Sequence, residues 1–548
     1  MKKGYRIIYW FPLIGAALFC AGMWLGYLLS PRVDLTPSQR KMLEVFDLIN
    51  EEYVDEVAID SLVETTIPEI LRNLDPHSAY ISAEDLERVS SELEASFGGI
   101  GIQFQMPGDT VTVVEVIAGS PAHKAGLLPG DRIISVDNKD IAGKKMETDE
   151  IFSLLRGRQG TKVALDIKRP GQNEILKFTI TRGDIPQPSI EGVYMTPDSI
   201  GYIRVSKFAR DTYEQFYKAM VKLKLEDGAK SFIVDLRGNT GGYMEPAVMM
   251  ANEFLEPGNI IVETRGRNAS DNSIIEADGT GLFQDTPLTV LIDEISASAS
   301  EIFSGAMQDN DRALIIGRRS FGKGLVQKPI LLADSSEIRL TVQRYYTPSG
   351  RCIQKDYSSE SFDEYESEIY RRYLNGEVFG SDNKADSLID KSLIFHTANG
   401  RKVYGGGGIS PDVFVPTDSI RRNTYYVSVV NRGLINTYAY EYVDLNREEL
   451  SKYRTVEELL RNLDNDYVLL NSFVRYAVDK GVRRRPYYIE QSAPLIVNQL
   501  KALIVRYVLG FNAFYSVYNQ EDEDVKEAIR LINKGMAEFP VTTSHDKN

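Results

Sequence analysis

The sequence predicts an α/β core that carries an inserted β-rich module and is flanked by helical regions. Residues 184–355 alternate apolar, β-branched runs with helical patterns, which is the rhythm of strand, helix and strand. Residues 96–183 hold short β-like runs with two helical stretches, and residues 36–95 and 417–535 carry apolar side chains at helical spacing. Region boundaries are expected at 1–30, 31–95, 96–183, 184–416 and 417–548, with a polar insertion at 356–395.

Composition excludes several classes of protein. The chain has 548 residues, a net charge of −15 and 26% charged residues, which is not the composition of a wholly disordered chain or of a general nucleic-acid binder. Cys20 and Cys352 are the only cysteines, so a four-cysteine zinc site, an iron–sulfur cluster and a disulfide scaffold are excluded. We expect no nucleic-acid partner.

The amino terminus has the pattern of a membrane anchor. Lys2, Lys3 and Arg6 precede Ile7–Leu29, a run without a charged residue that would be ~35 Å long as a helix. A cleaved signal peptide is the alternative, but its apolar part would usually be shorter. We expect residues 1–30 to be an uncleaved single span. The leading positive charges then keep this end in the cytoplasm, and the rest lies in the periplasm or at the outer cell face.

Apolar runs bounded by turn formers locate the core elements. In the core, strands are predicted at Ile200–Val205, Ser231–Leu236, Leu288–Ile292 and Ala313–Gly317, and helices at Asp211–Leu223, Glu245–Phe254 and Ser300–Gln308. In the β-rich module, strands are predicted at Val111–Ile117, Asp131–Val136 and Lys162–Lys168, and helices at Pro121–Gly126 and Thr148–Leu155.

A glycine-rich stretch opens the β-rich module. Its glycines let successive backbone N–H groups point into one concavity, which suits a carboxylate, and the strand that follows could accept an extended peptide. A tight turn without a ligand would show the same glycines. With Ser120–Leu127 and Pro129–Ile133, the stretch resembles a PDZ domain over about residues 95–183. The resemblance implies that the module binds the carboxyl-terminal tails of proteins, through Phe97, Gly98, Gly99, Ile100, Gly101 and Ile102.

Ser298 follows a predicted buried strand and precedes a predicted apolar helix. A serine at such a turn is sterically free, and nearby N–H groups at the helix N-terminus can hold a developing negative charge. Helix capping is the alternative reading, and Ser300 with Glu301 fits that role better because Ser298 lies further out.

A serine nucleophile needs a base, and no histidine has a suitable neighbourhood. His77 lies beside a proline in a turn, where we expect a structural role. Lys323 has apolar neighbours that would lower the pKa of its amine, although an ordinary surface lysine fits the segment equally well. Gln327 could orient that amine, but positions four apart in an extended chain are ~13 Å apart, so a bend at Gly324 is required.

The stretch Asp235–Gly242 follows another apolar strand and could offer N–H groups to an oxyanion, or be a plain turn. Taken together, the motifs resemble those of the carboxyl-terminal processing (tail-specific) proteases, a serine peptidase family. The resemblance spans about residues 40–416 and rests on Leu74–Ser78, the PDZ-like module, Asp235–Gly242, Ser296–Glu301, Phe321–Gln327, Thr347–Arg351 and Gly405–Asp412.

The family resemblance implies a fold and roles for particular residues. It implies a crotonase-like (ClpP-like) α/β core, with Ser298 as nucleophile, Lys323 as general base and Gln327 orienting the lysine. It implies an oxyanion hole made by the amide of Ala299 and that of Gly241 or Gly242. It also implies that no metal or organic cofactor takes part.

The expected function is that of a membrane-anchored serine endopeptidase that recognises carboxyl-terminal tails of protein substrates. A non-catalytic scaffold that holds such tails is the alternative from another class. Arg156 is expected to couple the module to the protease by pairing across the domain boundary, unless it is a plain surface arginine. Residues 417–548 match no motif; they leave open a contact with a second copy or with an adaptor.

Overall fold

The computed structural model of the protein describes residues 11–29, 35–91, 94, 96–358, 362–380 and 393–535. The chain forms two compact units, residues 1–70 and residues 71–548. The elements of the amino-terminal part are α1 (Phe11–Leu29), α2 (Pro37–Glu52), α3 (Ile59–Arg72), β1 (Ala79–Ile81) and α4 (Ala83–Ser91).

Helix α1 occupies most of the apolar run that predicts an anchor. Residues 1–10 and residue 30, which complete the predicted anchor, lie outside the described residues. Within the part of the chain that the structure describes, none of the helices meets the length and hydropathy needed to cross a bilayer. The membrane anchor stays a prediction.

The PDZ-like module is a six-stranded antiparallel sheet with two short helices. Its sheet has the order β3-β4-β5-β7-β8, with β6 paired to β5, and β2 pairs separately with β9. The first and last strands of the module, β2 and β9, therefore pair with each other where the chain enters and leaves the module. The elements are β2 (Ser96–Gly99), β3 (Ile102–Gln105), β4 (Val111–Val116), α5 (Pro121–Ala125), β5 (Arg132–Val136), β6 (Lys139–Asp140), α6 (Thr148–Leu155), β7 (Lys162–Lys168), β8 (Ile175–Thr181) and β9 (Gly183–Pro186).

The core comprises two sheets and the helices between their strands. Its elements up to the polar insertion are β10 (Ile190–Met195), β11 (Ile200–Val205), α7 (Thr212–Val221), β12 (Ser231–Asp235), α8 (Met244–Asn252), β13 (Ile260–Gly266), β14 (Ser273–Glu276), β15 (Leu288–Ile292), α9 (Ala299–Asp309), β16 (Leu314–Gly317), β17 (Leu325–Leu331) and β18 (Glu337–Tyr346). After these come α10 (Phe362–Glu366), α11 (Glu368–Leu374), β19 (Ile394–His396), β20 (Lys402–Tyr404) and β21 (Val413–Phe414).

The larger core sheet has the strand order β10-β11-β12-β15-β16-β21. All its pairs from β11 onward are parallel, so the carboxyl ends of β12 and β15 lie at the same edge. Helices α7, α8 and α9 cover one face, where residues such as Phe216, Met250 and Phe303 are fully buried. The loops that follow β12 and β15 are thereby brought together, as is usual for a site on a parallel sheet.

The second core sheet joins segments that are distant in the sequence. Its order is β1-β18-β13-β14, and β17 pairs with β18. Strand β1 comes from the region predicted to be helical, so the prediction of helices throughout 31–95 is wrong at Ala79–Ile81. A three-residue strand carries too little periodicity to be recognised; its partner β18 supplies the hydrogen bonds that define it.

Helices follow the core as far as residue 535, the last described residue. They are α12 (Thr424–Asn431), α13 (Leu434–Leu445), α14 (Arg447–Leu450), α15 (Val456–Asn462), α16 (Asp466–Asp479), α17 (Pro486–Leu509), α18 (Phe511–Tyr518) and α19 (Glu523–Asn533). The helices α12–α18 enclose a separate apolar core that includes Phe473, Ile496 and Leu500.

Helix α19 is instead a layer of the α/β core. Its Val525, Ala528 and Leu531 pack with Ile233 and Ile316 on the sheet face opposite α7–α9. Boundaries drawn from sequence put this helix in a separate region, because its amphipathic pattern does not say which surface it covers. The second face of the larger sheet is therefore covered by the last described helix.

The carboxyl-terminal helices also contact the PDZ-like module. Arg506 of α17 donates to Gln103 Oε1 at 2.8 Å, and Gln105 donates to the Tyr507 hydroxyl at 2.6 Å. Arg132 of β5 forms an ion pair with Asp444 at 2.8 Å. These helices thus touch both the module and the core.

Candidate active site

The turn between β15 and α9 holds Ser298 in an unusual backbone conformation. Ser298 is the N-cap of α9, with φ +55° and ψ −114°. A non-glycine residue with positive φ is uncommon and persists where the surrounding structure imposes it. Strand β15 on one side is fully buried, and every residue of α9 on the other side is buried. The two rigid elements hold the serine at the helix N-terminus.

The prediction that Ser300 and Glu301 form the helix cap is wrong. Ser300 lies inside α9, and its hydroxyl donates to the carbonyl of Asn239 at 2.9 Å. Ser298 holds the N-cap position, and its amide donates to Glu301 Oε2 at 2.8 Å. The spacing Ser298 to Glu301 gives the capping pattern, so the N-cap lies two residues earlier than expected.

The buried carboxylate of Glu301 connects the serine turn to the lysine loop. Its Oε2 also accepts the amide of Lys323 at 2.9 Å, and its Oε1 accepts the amide of Gly322 at 2.7 Å and the hydroxyl of Ser320. Burial raises the pKa of Glu301 to about 7, although these donors favour the charged form. One side chain thereby fixes the backbone of residues 298 and 323.

Tyr345 of β18 makes the complementary connection. Its buried hydroxyl lies 3.1 Å from the carbonyl oxygen of Ser298 and also donates to the carbonyl of Lys323. Glu301 binds the N–H groups of these two residues, and Tyr345 binds their C=O groups. The relative position of Ser298 and Lys323 is therefore set through backbone contacts, which leaves both side chains free for chemistry.

Lys323 is paired with a neutral side chain. Its Nζ donates to Gln327 Oε1 at 2.7 Å, and Gln327 Nε2 donates to the carbonyl of His77. Because a carbonyl can only accept, this contact turns the amide nitrogen of Gln327 toward His77 and its oxygen toward the lysine. The strand register shifts between Val326 and Gln327, within the span where the sequence requires a bend.

The environment of Lys323 favours the neutral amine. Burial lowers the pKa of Lys323, while the charges of Glu301 and Asp75 oppose the shift. Among the described residues, no carboxylate forms an ion pair with its amine. A lysine in this condition can accept a proton, as the base of a serine nucleophile must.

Sequence reasoning missed the part that His77 plays here. Its main-chain oxygen holds Gln327, its amide donates to Asp75 Oδ1 at 2.8 Å, and its ring Nε2 lies 2.7 Å from the Tyr365 hydroxyl. Burial lowers the pKa of His77 to about 4, with a contribution from the charge of Lys323. The structural role expected for His77 fits these contacts, but no sequence signal connects it to position 327.

The glycine loop after β12 lies against the serine turn. A Cβ atom on Gly241 would come within 2.8 Å of Ser298 Cβ and 3.0 Å of the Ala299 nitrogen, so only glycine allows this approach. The Gly241 amide is already bonded to Asn239 Oδ1 at 2.8 Å. Among the described residues, the amides of Gly242 and Ala299 donate to no protein acceptor. Gly242 is therefore the better candidate for the oxyanion hole.

One cavity of about 530 Å³ brings the predicted catalytic residues together. Ser298, Ala299, Lys323 and Gln327 line it with both loop glycines. Its remaining lining is apolar in part, from Met244, Ile302, Leu325, Val326 and Tyr345, and charged at Glu94, Arg210, Glu337 and Arg339. The cavity could hold an extended peptide at the serine.

The residues predicted to bind a tail occupy two different elements. Phe97, Gly98 and Gly99 are in β2, paired with β9, whereas Ile102 begins β3, an edge strand. Ile100 and Gly101 join them; Ile100 is buried and Gly101 has φ +83°. The loop and the free edge of β3 remain the predicted binding site, with β2 as its support.

The aromatic contacts of Arg156 differ from the expected ion pair. Its guanidinium lies 4.4 Å from the ring centre of Phe97 and 4.9 Å from that of Phe152. Its Nε is buried without a hydrogen-bond partner. Coupling between the module and the protease through Arg156 stays a prediction.

Comparison with known proteins identifies the family of the chain. The model of peptidase family S41 matches residues 199–359, and a PDZ domain model matches residues 112–169. A carboxy-terminal-processing protease of Bartonella bacilliformis is 38% identical over 314 residues, which are 57% of this chain and 71% of the relative. The chain belongs to the carboxy-terminal processing proteases. It is a serine peptidase of family S41 with a PDZ domain.

Other known proteins are also similar to this chain. The carboxy-terminal processing protease CtpB of Bacillus subtilis is 34% identical over 58% of this chain and 65% of its own length. The solved structure of a photosystem II D1 C-terminal processing protease is 25% identical over 70% of this chain and 94% of its own, with a TM-score of 0.34. A family of unknown function matches residues 425–510.

The raised pKa of Glu301 predicts a pH dependence of stability. Between pH 4.5, its ordinary pKa, and about 7, the folded state binds a proton that the unfolded state has lost. The unfolding free energy of the wild type should therefore fall by about 3 kcal/mol relative to Glu301→Gln as pH rises through this window. Urea unfolding at a series of pH values measures the difference.

Glu245→Gln is the control, since Glu245 is an exposed residue of the neighbouring helix α8. Its unfolding free energy should follow that of the wild type at each pH. If the difference in unfolding free energy between the wild type and Glu301→Gln does not change with pH, the raised pKa of Glu301 is contradicted.

Proposed function

We propose that the protease is a membrane-anchored endopeptidase that captures carboxyl-terminal tails through its PDZ domain and cleaves by a Ser–Lys mechanism. The observation that carries the proposal is that the amine of Lys323 is hydrogen-bonded to the neutral side chain of Gln327 and lies in the same cavity as Ser298. Tail recognition is inferred from the PDZ domain, and the anchor from the uncharged run Ile7–Leu29. The crotonase-like description of the core is likewise part of the proposal.

In the first half of the reaction, neutral Lys323 takes the proton of the Ser298 hydroxyl as Oγ bonds to the scissile carbonyl carbon. The amides of Ala299 and Gly242 stabilise the oxyanion that forms. The C–N bond then breaks, and the Lys323 ammonium gives its proton to the leaving amine.

In the second half, water attacks the ester and passes a proton to Lys323. The bond between the acyl carbon and Ser298 Oγ breaks, and the proton returns to the serine. Gln327 holds the lysine amine toward the serine through both halves, because its own amide is fixed by His77. All steps use groups of this chain and water.

Replacement of either catalytic side chain should abolish cleavage. Ser298→Ala and Lys323→Met should each lower kcat by at least about 1,000-fold, because the two groups act in one step. Lys328→Met should retain full activity, since Lys328 is an exposed lysine of β17, the strand that follows Lys323. Cleavage of a quenched fluorescent peptide with apolar residues at the scissile bond and a free carboxyl terminus provides the measurement.

Persistent cleavage by Lys323→Met would overturn the Ser–Lys assignment. A wild-type protein that binds the peptide without cleaving it would favour the scaffold alternative. Circular dichroism of each variant establishes that the fold is retained.

The rate should rise with pH, because the base must be unprotonated. The midpoint of the rise in kcat/KM should lie below 10.5, the ordinary pKa of lysine, since burial lowers the pKa of Lys323. The charge of Arg339 contributes to this lowering, so Arg339→Met should move the midpoint to higher pH. Lys328→Met should leave it in place, and an unmoved midpoint in Arg339→Met would count against Lys323 as the titrating base.

The anchor makes a prediction about fractionation. Deletion of residues 1–30 should move the protease from the membrane pellet to the supernatant, while the full chain should stay in the pellet after washing with alkaline carbonate. Replacement of Lys2 and Lys3 by glutamine should leave the protease in the pellet, because the apolar run is retained. A full-length chain that is found in the supernatant would refute the anchor.

A further inference from the structure

Arg237 fixes the start of the loop that carries Gly241 and Gly242. Its Nε and Nη2 donate to Asp235 at 3.0 and 2.6 Å. Its Nη1 donates to both oxygens of Asp522, at 2.8 and 2.9 Å, and to Asp524 at 2.7 Å. The oxyanion loop is thus held on its outer side by two carboxylates at the end of the chain.

Asp524 also reaches the turn that leads to the nucleophile. Its oxygens lie 3.3 and 3.2 Å from Nη1 of Arg318, and Nε of Arg318 donates to Glu294 at 3.0 Å. Glu294 belongs to the turn between β15 and Ser298. A single carboxylate therefore connects the oxyanion loop with the nucleophile turn.

The ion pairs are largely shielded from water, so water would not compensate the arginine charges if these pairs were lost. The side chains of Arg237 and Arg318 are 11% and 12% exposed, and that of Asp524 is 7% exposed. Burial disfavours the charge of Asp235, but Arg237 and Arg204 outweigh this and hold the pKa of Asp235 well below its usual range. Removing the charges of Asp522 and Asp524 would leave the Arg237 guanidinium with Asp235 as its remaining carboxylate partner, a strongly unfavourable change for a buried cation.

We propose that Asp522 and Asp524 are positioning residues of the cleavage reaction, which hold the oxyanion loop against the nucleophile turn through Arg237 and Arg318. This inference rests on the proposed Ser–Lys function. The matched S41 model ends at residue 359 and the model of unknown function ends at residue 510, so neither includes these two aspartates. The carboxyl-terminal end of the described chain is in this way part of the catalytic machinery.

The two aspartates permit a conservative test. Asp522 is also the N-cap of α19 and accepts the amide of Val525 at 3.1 Å, and asparagine is an equally good N-cap. The double variant Asp522→Asn/Asp524→Asn removes two charges and keeps the side-chain shapes. Glu523→Gln is the matched control, since Glu523 is the exposed residue between them and pairs with Arg421 and Lys526.

The test compares ground-state and transition-state binding on the full chain. With the fluorescent peptide, the double variant should lose about 10- to 100-fold in kcat with KM changed by less than about 2-fold, because substrate binding elsewhere in the cavity is untouched. A peptide aldehyde of the same sequence bonds its carbonyl carbon to Ser298 Oγ; the C=O π electrons become the oxyanion, and the serine proton passes to Lys323. Its inhibition constant should rise by the same factor as kcat/KM falls. Glu523→Gln should match the wild type in all three values.

A purely structural role would lower thermal stability without the parallel loss of aldehyde affinity, so that outcome overturns the proposal, as does an unchanged kcat. If the double variant does not fold, the single variants Asp522→Asn and Asp524→Asn are measured, and Asp524→Asn should show the larger effect because Asp524 serves both loops. A wild type whose cleavage is unaffected by Ser298→Ala refutes the proposed function itself, which is a distinct result.

Discussion

Glu301 accepts hydrogen bonds from the amides of Ser298 and Lys323 with the same oxygen, and this shared acceptor determines how far apart the backbones of these two residues can be. Tyr345 repeats the constraint on the carbonyl side. The strained backbone at Ser298 and the close approach of Gly241 to it both occur within this fixed pair of loops. A buried carboxylate is costly to place, and it persists here because four donors converge on it.

The site is surrounded by supports that come from distant parts of the chain. His77 orients Gln327 from the segment before the PDZ domain, and Asp522 and Asp524, at the start of α19, bind Arg237 in the loop after β12. Gly408 approaches the Lys323 loop so closely that a Cβ there would lie 2.6 Å from the Ser320 carbonyl. The site contains few side chains, but segments from distant parts of the larger unit hold them in position.

Local patterns were sufficient to predict much of this arrangement from sequence. The strands Ile200–Val205 and Leu288–Ile292 and the module helix Thr148–Leu155 occur with the predicted bounds, because each is a regular run bounded by turn formers. A shared site for Ser298 and Lys323 could be predicted because family motifs mark both residues, and the two residues do line one cavity.

Contacts made at a distance could not be predicted. The short strand Ala79–Ile81 exists through its pairing with β18, and the choice of Gly242 over Gly241 rests on a hydrogen bond to Asn239 that no spacing reveals. The polar insertion also makes a contact that could not be predicted. Arg372 of its helix α11 donates to the Ser320 carbonyl at 2.8 Å, yet the composition of the insertion indicates only a polar segment. Residues 359–361 and 381–392 of that insertion lie outside the described part.

The position of α19 on the larger sheet has a consequence for choosing recombinant fragments. A fragment that stopped at residue 416, where the family motifs end, would leave Ile233, Leu291 and Ile316 without their covering layer. Such a fragment would expose an apolar sheet face to water and aggregate, even though the predicted catalytic residues Ser298, Lys323 and Gln327 would all be encoded in it.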